Sequence, residues 1–156
     1  MPAILITGCS SGFGLETAKL FLEKGWDVIA TMRTPDESLL PASGRLRVLA
    51  LDVTVPDSIS RLVKAAGEID VLVNNAGFGA PSPVELTASQ TAQALFQTNT
   101  IGTLAMIQAV APQMRRRRAW RHYQRYVLGY TETASGHRGL SRQQGRSECA
   151  QRVPCD

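Results

Sequence analysis

Four short apolar runs, each followed by a segment with helical spacing, constrain the fold of this chain more than any other feature. The runs are AILIT (3–7), DVIATM (27–32), RVLAL (47–51) and DVLVN (70–74). Short apolar runs of this kind are typical of strands that are buried on both faces of a parallel sheet. Because strands that alternate with helices require crossover connections, we predict an α/β fold with a doubly wound parallel sheet.

Helices are predicted between and after these strands. The first spans about 13–24, and the second begins at Pro56, which suits a first helical turn. Thr87 and Gln90 have the spacing of a capping box and are expected to begin a further helix, and a last helix should run to about Arg115. The predicted inner-face residues are Leu15, Ala18 and Leu22 in the first helix, Ile59, Leu62, Val63 and Ala66 in the second, and Leu104, Ile107, Ala111 and Met114 in the last.

Charge divides the chain into two unequal parts. Residues 1–114 carry seven basic and ten acidic side chains, whereas residues 115–156 carry ten arginines and three acidic side chains. The second part holds only four residues of the types Leu, Ile, Val and Phe, which is too few for a core. We therefore expect one folded part, 1–114, followed by a basic tail, 115–156, that is non-native or disordered and adds no further strand to the sheet.

Several other classes of protein are disfavoured by the sequence. No apolar run approaches the roughly 18 residues that a membrane span needs, and residues 1–6 lack the basic flank of a signal peptide. We therefore expect a soluble, cytoplasmic protein. Cys9, Cys149 and Cys155 have neither metal-ligand spacing nor an even disulfide framework, so reduced, incidental thiols and no metal site are expected.

The segment TGCSSGFG (7–14) lies between the first strand and the first helix, which is the context in which a glycine pattern is informative. Gly8 permits a tight turn, Gly12 lets the backbone approach a pyrophosphate, and Gly14 allows close helix packing. The helix N-terminus attracts phosphate, and Ser10 and Ser11 add hydroxyl donors. The alternative is a generic glycine turn between a strand and a helix.

Two motifs together resemble the short-chain dehydrogenase/reductase family. They are Thr7-Gly8-x-x-x-Gly12-x-Gly14 and Asn74-Asn75-Ala76-Gly77, and the likeness extends through about residue 114. CSSGFG is similar to the branch that includes hydroxysteroid and retinol dehydrogenases. The resemblance implies a Rossmann-type fold and an NAD(P)-dependent oxidoreductase that transfers a hydride between the cofactor and a small-molecule carbonyl or alcohol. Family members are commonly homo-oligomers, which is doubtful for this chain because much of the expected interface is missing.

The resemblance also implies roles for particular positions. Phe13 would offer its backbone N–H to a phosphate, and Asp52, with Val53 beside it, would bind the adenine amino group. Asn74 would tie neighbouring strands together. The nicotinamide ribose would be lined by Asn75, Ala76 and Gly77. Alternatively, Asp52 is simply a turn residue after a strand.

Asn99, in QTNTIG, matches the asparagine that bends the long helix of the family and holds a water of its proton relay. A simple interruption of the helix is the alternative for this residue. No other residue of the family's catalytic set is matched.

The end of the second strand bears on the choice of cofactor. It reads Thr31, Met32 and Arg33, with no carboxylate at the position where one would bind the ribose 2′-OH of NAD. An arginine there accommodates a 2′-phosphate, so NADP is favoured over NAD. Arg33 could instead be an ordinary surface charge, because Asp36 and Glu37 are close in sequence.

The catalytic pair of the family is not present in this sequence. Its chemistry uses a serine and, thirteen positions later, the tyrosine of Tyr-x-x-x-Lys, whose ammonium lowers the pKa of the phenol. The sequence has no lysine after Lys64, and no tyrosine of the tail has a lysine four positions on. We therefore expect this chain to be a catalytically incomplete version of its family.

The tail that begins with MRRRRAW (114–120) has three interpretations. Arginines with interleaved aromatics suit a nucleic-acid-binding arm, which would make the chain a nucleotide-binding protein with an arginine-rich tail. A basic cluster also suits an anionic membrane. The third interpretation is a shift of reading frame, which needs no partner and which we favour over a nucleic-acid or membrane partner.

The genetic code supports the frameshift. Codons for Trp120 to Leu128, read one base later, permit GVIINVTSS, which the resemblance predicts for the next strand and the catalytic serine. The same shift over 141–155 permits xASKAAVNALSESLA, with the lysine opposite Gln144 and a tyrosine permitted opposite Leu140. Val127, opposite the first serine, lies thirteen positions before Leu140. One extra base, or two missing, near the codons of residues 115–119 would yield a frameshifted, truncated chain.

Overall fold

The computed structural model describes residues 1–117 and 121–124. Five strands form one parallel sheet in the order β3-β2-β1-β4-β5. The strands are β1 Ala3–Thr7, β2 Asp27–Met32, β3 Leu46–Ala50, β4 Val71–Asn74 and β5 Arg121–Gln124. The helices are α1 Gly12–Glu23, α2 Pro56–Ala66, α3 Ser89–Phe96 and α4 Thr103–Arg116. The predicted doubly wound parallel sheet is confirmed.

A π-helical segment, Gln97–Gly102, joins α3 to α4 without a break. Two short 3₁₀ turns, Glu37–Leu39 and Val84–Leu86, lie in the connections between the longer elements. Most α helices in globular proteins contain no π turn, and those that occur are concentrated at functional sites. The π-helical segment is therefore a candidate functional position.

Both faces of the sheet are buried, and successive residues of β1 alternate between them. Leu5 belongs to a core cluster with residues of α2 and α4, such as Leu62 and Met106. Its neighbours Ile4 and Ile6 belong to a second cluster, which includes residues of α1. This alternation explains why the strands read as continuous apolar runs, since every position meets a helix-covered face.

The buried face of α4 agrees with the predicted one only in part: Met114 is buried and Ile107 packs against the core as predicted. Met106, Val110 and Met114 are at most 2% exposed, whereas Leu104 is 49% exposed. The spacing expected of an amphipathic helix is present, but the centre of the buried face lies at Met106 and Val110, which were not predicted. The reason is that residues 104–111 are almost all apolar, so their periodicity does not select one face.

The predicted capping box at Thr87 is wrong. The Thr87 hydroxyl lies 2.7 Å from the Ser82 hydroxyl and donates to the Pro83 carbonyl at 3.1 Å. Helix α3 begins at Ser89 and has Ala88 as its N-cap, with no side-chain hydrogen bond. Because Thr87 ends the preceding 3₁₀ turn, its hydroxyl serves that turn instead of the helix.

The end of α4 is fastened to the sheet by an arginine of the basic run. The Arg117 guanidinium pairs with one carboxylate oxygen of Asp70, lies 3.6 Å from Glu68, and donates to the Ile69 carbonyl at 3.4 Å. The second oxygen of Asp70 accepts from the backbone N–H of Ala3 at 2.8 Å. This arginine is therefore part of the fold.

A fifth strand lies in the segment from which no strand was expected. β5 pairs with β4 in parallel, with Val71 opposite Arg121 and Asn74 opposite Gln124. Parallel pairing uses backbone N–H and C=O groups, which every residue but proline supplies, so an apolar side-chain pattern is not required for it. The expectation that the remainder of 115–156 is non-native stays a prediction, because 118–120 and 125–156 lie outside the described residues.

Within the described ranges, no helix is both long enough and apolar enough to cross a bilayer. Those ranges also contain no group of three or more His, Cys, Asp or Glu side chains arranged to hold a metal ion.

Candidate functional site

The turn between β1 and α1 brings three glycines close to the segment that follows β4. Gly8 has a φ of +73°, and a Cβ there would lie 2.8 Å from the Cα of Ala76. A Cβ at Gly14 would overlap the carbonyl oxygen of Gly8 and the side-chain nitrogen of Asn75. Both positions therefore require glycine, the first for its backbone conformation and its packing and the second for its packing alone.

Gly12 differs from the other two glycines of the turn. Its φ is +58°, but a Cβ there would meet no protein atom within 4 Å. The space beside the backbone at the start of α1 is therefore open. This is the geometry that a phosphate group needs in order to approach the N–H groups of a helix N-terminus.

The side chains around that helix N-terminus face solvent. Ser10, Ser11 and Phe13 are exposed, and Phe13 is 68% exposed in spite of its apolar ring. Ser11 is the N-cap residue, and its side chain makes no capping hydrogen bond. The Ser10 and Ser11 side chains are therefore accessible to solvent, and their predicted contact with a phosphate stays a prediction.

Thr7 holds the carboxyl ends of β1 and β4 together. Its hydroxyl oxygen accepts from the backbone N–H of Asn75 at 3.0 Å and from that of Ala76 at 2.9 Å. Thr7 is 1% exposed, so these bonds are shielded from water. The residues expected to line the nicotinamide ribose are thus fixed to the end of the central strand. Sequence reasoning assigned no role to Thr7, although a buried hydroxyl at the end of an apolar strand is a signal for one.

The Asn75 side chain joins the segment after β4 to the glycine turn, a contact that the sequence interpretation did not include. The Asn75 amide donates to the carbonyl oxygens of Thr7 and Gly8, both at 2.9 Å. Asn74 is 2% exposed and lies within β4. The expectation that Asn74 ties neighbouring strands together stays a prediction.

Asp52 follows β3 and is held in a compact turn. One carboxylate oxygen accepts from the Thr54 hydroxyl at 2.6 Å and from the Thr54 N–H at 2.9 Å, while the Asp52 N–H donates to the Ser58 hydroxyl at 2.9 Å. The hydrogen bonds from Thr54 hold the pKa of the Asp52 carboxyl below its ordinary value, and the nearby Arg33 guanidinium acts in the same direction to a smaller extent. Asp52 therefore carries a negative charge at neutral pH.

The contribution of Asn99 is visible in its side-chain contacts. Its amide accepts from the Phe78 N–H at 3.1 Å and donates to the Phe78 carbonyl at 2.9 Å. Phe78 directly follows the Asn-Asn-Ala-Gly motif, so the π-helical segment is tied to that loop by two hydrogen bonds. The carbonyl of Asn99 itself accepts from the Thr103 hydroxyl at 3.0 Å. Whether this residue holds a water stays a prediction.

Cys9 lies inside the glycine turn and is fully buried. Its thiol donates to the Ile6 carbonyl at 3.3 Å, and its backbone N–H donates to the Thr31 carbonyl at 2.8 Å. Burial raises the pKa of the Cys9 thiol to about 12. A thiol that stays protonated is a packing group, which agrees with the expected incidental role. Cys149 and Cys155 lie outside the described residues.

The residues predicted for the site thus converge at one edge of the sheet. The glycine turn follows β1, Arg33 follows β2, Asp52 and Val53 follow β3, and residues 75–77 follow β4. In open α/β sheets, ligands bind beyond the carboxyl ends of the strands. These strand ends lie along one edge of the sheet, called the crevice edge below, where the ligand crevice of an open α/β sheet is expected.

Comparison with known proteins gives the family. Residues 2–120 match the short chain dehydrogenase family. The chain belongs to the short-chain dehydrogenase family. The chain is 40% identical over 119 residues to the 3-ketodihydrosphingosine reductase of Bacteroides thetaiotaomicron, with 74% of the chain and 43% of that relative covered. It is 41% identical over 126 residues to retinol dehydrogenase 8 of Homo sapiens, with 74% and 40% covered.

Solved structures give the same result for the fold. A short-chain dehydrogenase from Streptomyces avermitilis has a TM-score of 0.72 at 32% identity, with 79% of this chain and 48% of that one covered. The structure of ElxO with NADP bound has a TM-score of 0.71 at 25% identity, with 79% and 54% covered. The chain spans less than half the length of the two curated relatives.

Proposed function

We propose that this chain carries the NADP(H)-binding half of a short-chain dehydrogenase that acts on a carbonyl or alcohol substrate. The observation that carries the proposal is the open backbone at Gly12 on the N-terminus of α1, between the fixed glycines 8 and 14. A pyrophosphate fits this open space without displacing a side chain. When bound, the cofactor supplies or accepts a hydride.

The cofactor would be held along the crevice edge described above. Backbone N–H groups at the start of α1 and the hydroxyls of Ser10 and Ser11 would bind the pyrophosphate. Asp52 would bind the adenine amino group, with Val53 beside it. The nicotinamide ribose would lie against the segment Asn75, Ala76 and Gly77, which Thr7 fixes in place.

A preference for NADP over NAD is supported at the end of β2. Arg33 is exposed there, and its charge reaches Asp52 on the neighbouring strand end. A guanidinium in this position pairs with a 2′-phosphate, whereas a 2′-hydroxyl gives it no anionic partner. Two structures of relatives with bound NADP or NADPH have TM-scores of 0.71, which agrees with this choice of cofactor.

We further propose that the chain binds the cofactor without turning over. The tyrosine of the family needs a lysine four positions later, and this sequence has no lysine after Lys64. Without a nearby ammonium, a phenol retains a pKa near 10 and exchanges its proton poorly at neutral pH. Asn99 alone cannot replace this pair.

The match to the family ends close to the position of the proposed change of reading frame. The family match ends at residue 120, one residue past the codons of residues 115–119 near which the base change is proposed. β5 occupies 121–124, where the shifted frame permits VIIN. Both observations support an origin of the tail in the coding sequence of an intact family member.

Cofactor binding is tested by titrating the full 156-residue chain with NADPH and with NADH and following the nicotinamide fluorescence. We expect NADPH to bind more tightly, and Arg33→Ala to weaken NADPH roughly tenfold while NADH changes less than about twofold. Arg61→Ala, an exposed arginine on α2, is the matched control and should leave both affinities unchanged. Oxidation of NADPH by the purified chain with a carbonyl substrate would contradict the proposed inactivity.

Resequencing of the gene across codons 114–121 tests the frame. We expect one base more, or two fewer, than the intact frame contains, and a reading of GVIINV in the adjacent frame from codon 120 onward. If the frame is as printed and the adjacent frame gives no such string, the proposal of a frameshift is wrong, and the basic tail then needs a function of its own.

A further inference from the structure

The π-helical segment Gln97–Gly102 contacts two loops that lie on different parts of the proposed cofactor site. Toward one end, Asn99 forms two hydrogen bonds with the backbone of Phe78. Phe78 directly follows residues 75–77, and residues 75–78 are called the nicotinamide-side loop below. At the other end, Gly102 packs against Val53. Val53 lies in the loop 51–55 between β3 and α2, called the adenine-side loop below. One segment therefore contacts both the nicotinamide-side loop and the adenine-side loop.

The contact between Gly102 and Val53 leaves no room for a side chain. A Cβ on Gly102 would lie 2.7 Å from the Cγ2 of Val53 and 3.0 Å from its carbonyl oxygen. The backbone of Gly102 is ordinary right-handed helix, with φ −61° and ψ −42°. Since any residue adopts that conformation, glycine is needed here for packing and not for backbone freedom.

Hydrogen bonds join the residues of the adenine-side loop, so we expect a displacement of Val53 to displace its neighbours with it. Its neighbours Asp52 and Thr54 are joined by two hydrogen bonds, and Asp52 is fastened to α2 through Ser58. Val53 itself is 9% exposed and belongs to the same core cluster as Met106 of α4. A displacement of Val53 therefore moves the Asp52 carboxylate relative to the crevice.

We infer that the π-helical segment is a spacer that sets the position of the adenine-side loop relative to the nicotinamide-side loop, with Gly102 as the positioning residue at the adenine end. The inference rests on the proposed cofactor site. The widened turn is itself stabilised internally, because the Thr103 hydroxyl donates to the carbonyl of Asn99 at 3.0 Å. A change at the adenine end of the spacer should therefore affect every ligand that contains the adenine half. A change at the nicotinamide end should affect only ligands that also contain the nicotinamide half.

The test uses the full chain and two probes, NADPH and adenosine 2′,5′-bisphosphate, which lacks the nicotinamide half. Binding is measured by calorimetry. Gly102→Ala should weaken both probes about tenfold, because overpacking shifts the adenine-side loop. Asn99→Ala should weaken NADPH by a similar factor and leave the bisphosphate within about twofold, because it releases only the Phe78 loop.

Two further variants separate positioning from general loss of stability. Val53→Ala in the Gly102→Ala background removes the tightest overlap and should recover most of the affinity for both probes. Gly44→Ala is the matched control, because Gly44 has no atom within 4 Å of a built Cβ and its affinities should not change. Melting temperatures are recorded for every variant, and if Gly102→Ala does not fold, the selective effect of Asn99→Ala still decides the inference.

The possible failures point to different causes. A wild-type chain that binds neither probe overturns the proposed cofactor site, and this inference with it. A wild-type chain that binds both probes, with Gly102→Ala and Asn99→Ala weakening them equally or only lowering the melting temperature, overturns the spacer alone.

Discussion

Alanine at position 14 should destabilise the fold and abolish cofactor binding together. The added Cβ overlaps the carbonyl oxygen of Gly8 and the amide nitrogen of Asn75, which is itself held by Thr7 and Gly8 carbonyls. Neither atom belongs to a flexible side-chain end that could move away freely. We expect the free energy of unfolding to fall by about 3 kcal/mol or more.

Urea denaturation followed by circular dichroism measures that loss, and NADPH titration measures the site. Gly79→Ala is the matched control, since a Cβ there meets no atom within 4 Å. The control should change the free energy of unfolding by less than about 1 kcal/mol. A Gly14→Ala chain with the stability of the control would mean that the turn and the Asn75 segment are not packed as described.

Valine at position 7 should cost about 3 kcal/mol of stability, although it has nearly the shape of threonine. The Thr7 hydroxyl is the acceptor for the N–H groups of Asn75 and Ala76 in a site that excludes water, and valine accepts no hydrogen bond. A buried donor that loses its acceptor costs about 1–3 kcal/mol. NADPH affinity should fall as well, because these amides belong to the segment proposed to line the nicotinamide ribose.

Thr31 provides a matched control for this substitution. It lies directly opposite Thr7 in the parallel pairing of β1 and β2, and it is equally buried. Its hydroxyl makes one hydrogen bond, to the Ile6 carbonyl at 3.0 Å. Thr31→Val should therefore cost only about 1 kcal/mol and leave NADPH binding unchanged. Equal losses for the two variants would show that the Thr7 hydroxyl has no special role.

Much of the fold was predictable because β1, β2 and β4, three of its first four strands, are largely buried on both faces. Such strands read as unbroken apolar runs, and each prediction agrees with the structure to within about one residue at either end. The face of α4 was not predictable, since its apolar residues surround much of the helix. β5 was not predictable either, since RHYQ has no strand pattern and its pairing with β4 depends on the backbone alone.

In the candidate site, features with a local sequence pattern were predictable, and contacts between distant residues were not. Glycines 8, 12 and 14 were identified from their spacing, because a turn of fixed geometry leaves a fixed pattern in the sequence. The contacts of Asn99 with Phe78 and of Gly102 with Val53 join residues 21 or more positions apart, and no local pattern records them. The contacts of the Asn75 amide with Thr7 and Gly8 likewise join residues 67 or 68 positions apart.

The cluster of Asp70 with Ala3 and Arg117 has a consequence for synthesis of the chain. Its contacts join residues 67 and 47 positions apart, so the bond between Ala3 and Asp70 forms only after Asp70 has been made, and the pair of Asp70 with Arg117 only after the end of α4. Domains generally fold as units from the N-terminus as the chain leaves the ribosome. Every contact of this cluster can therefore form once residue 117 has emerged, before any residue of the basic tail beyond it is needed.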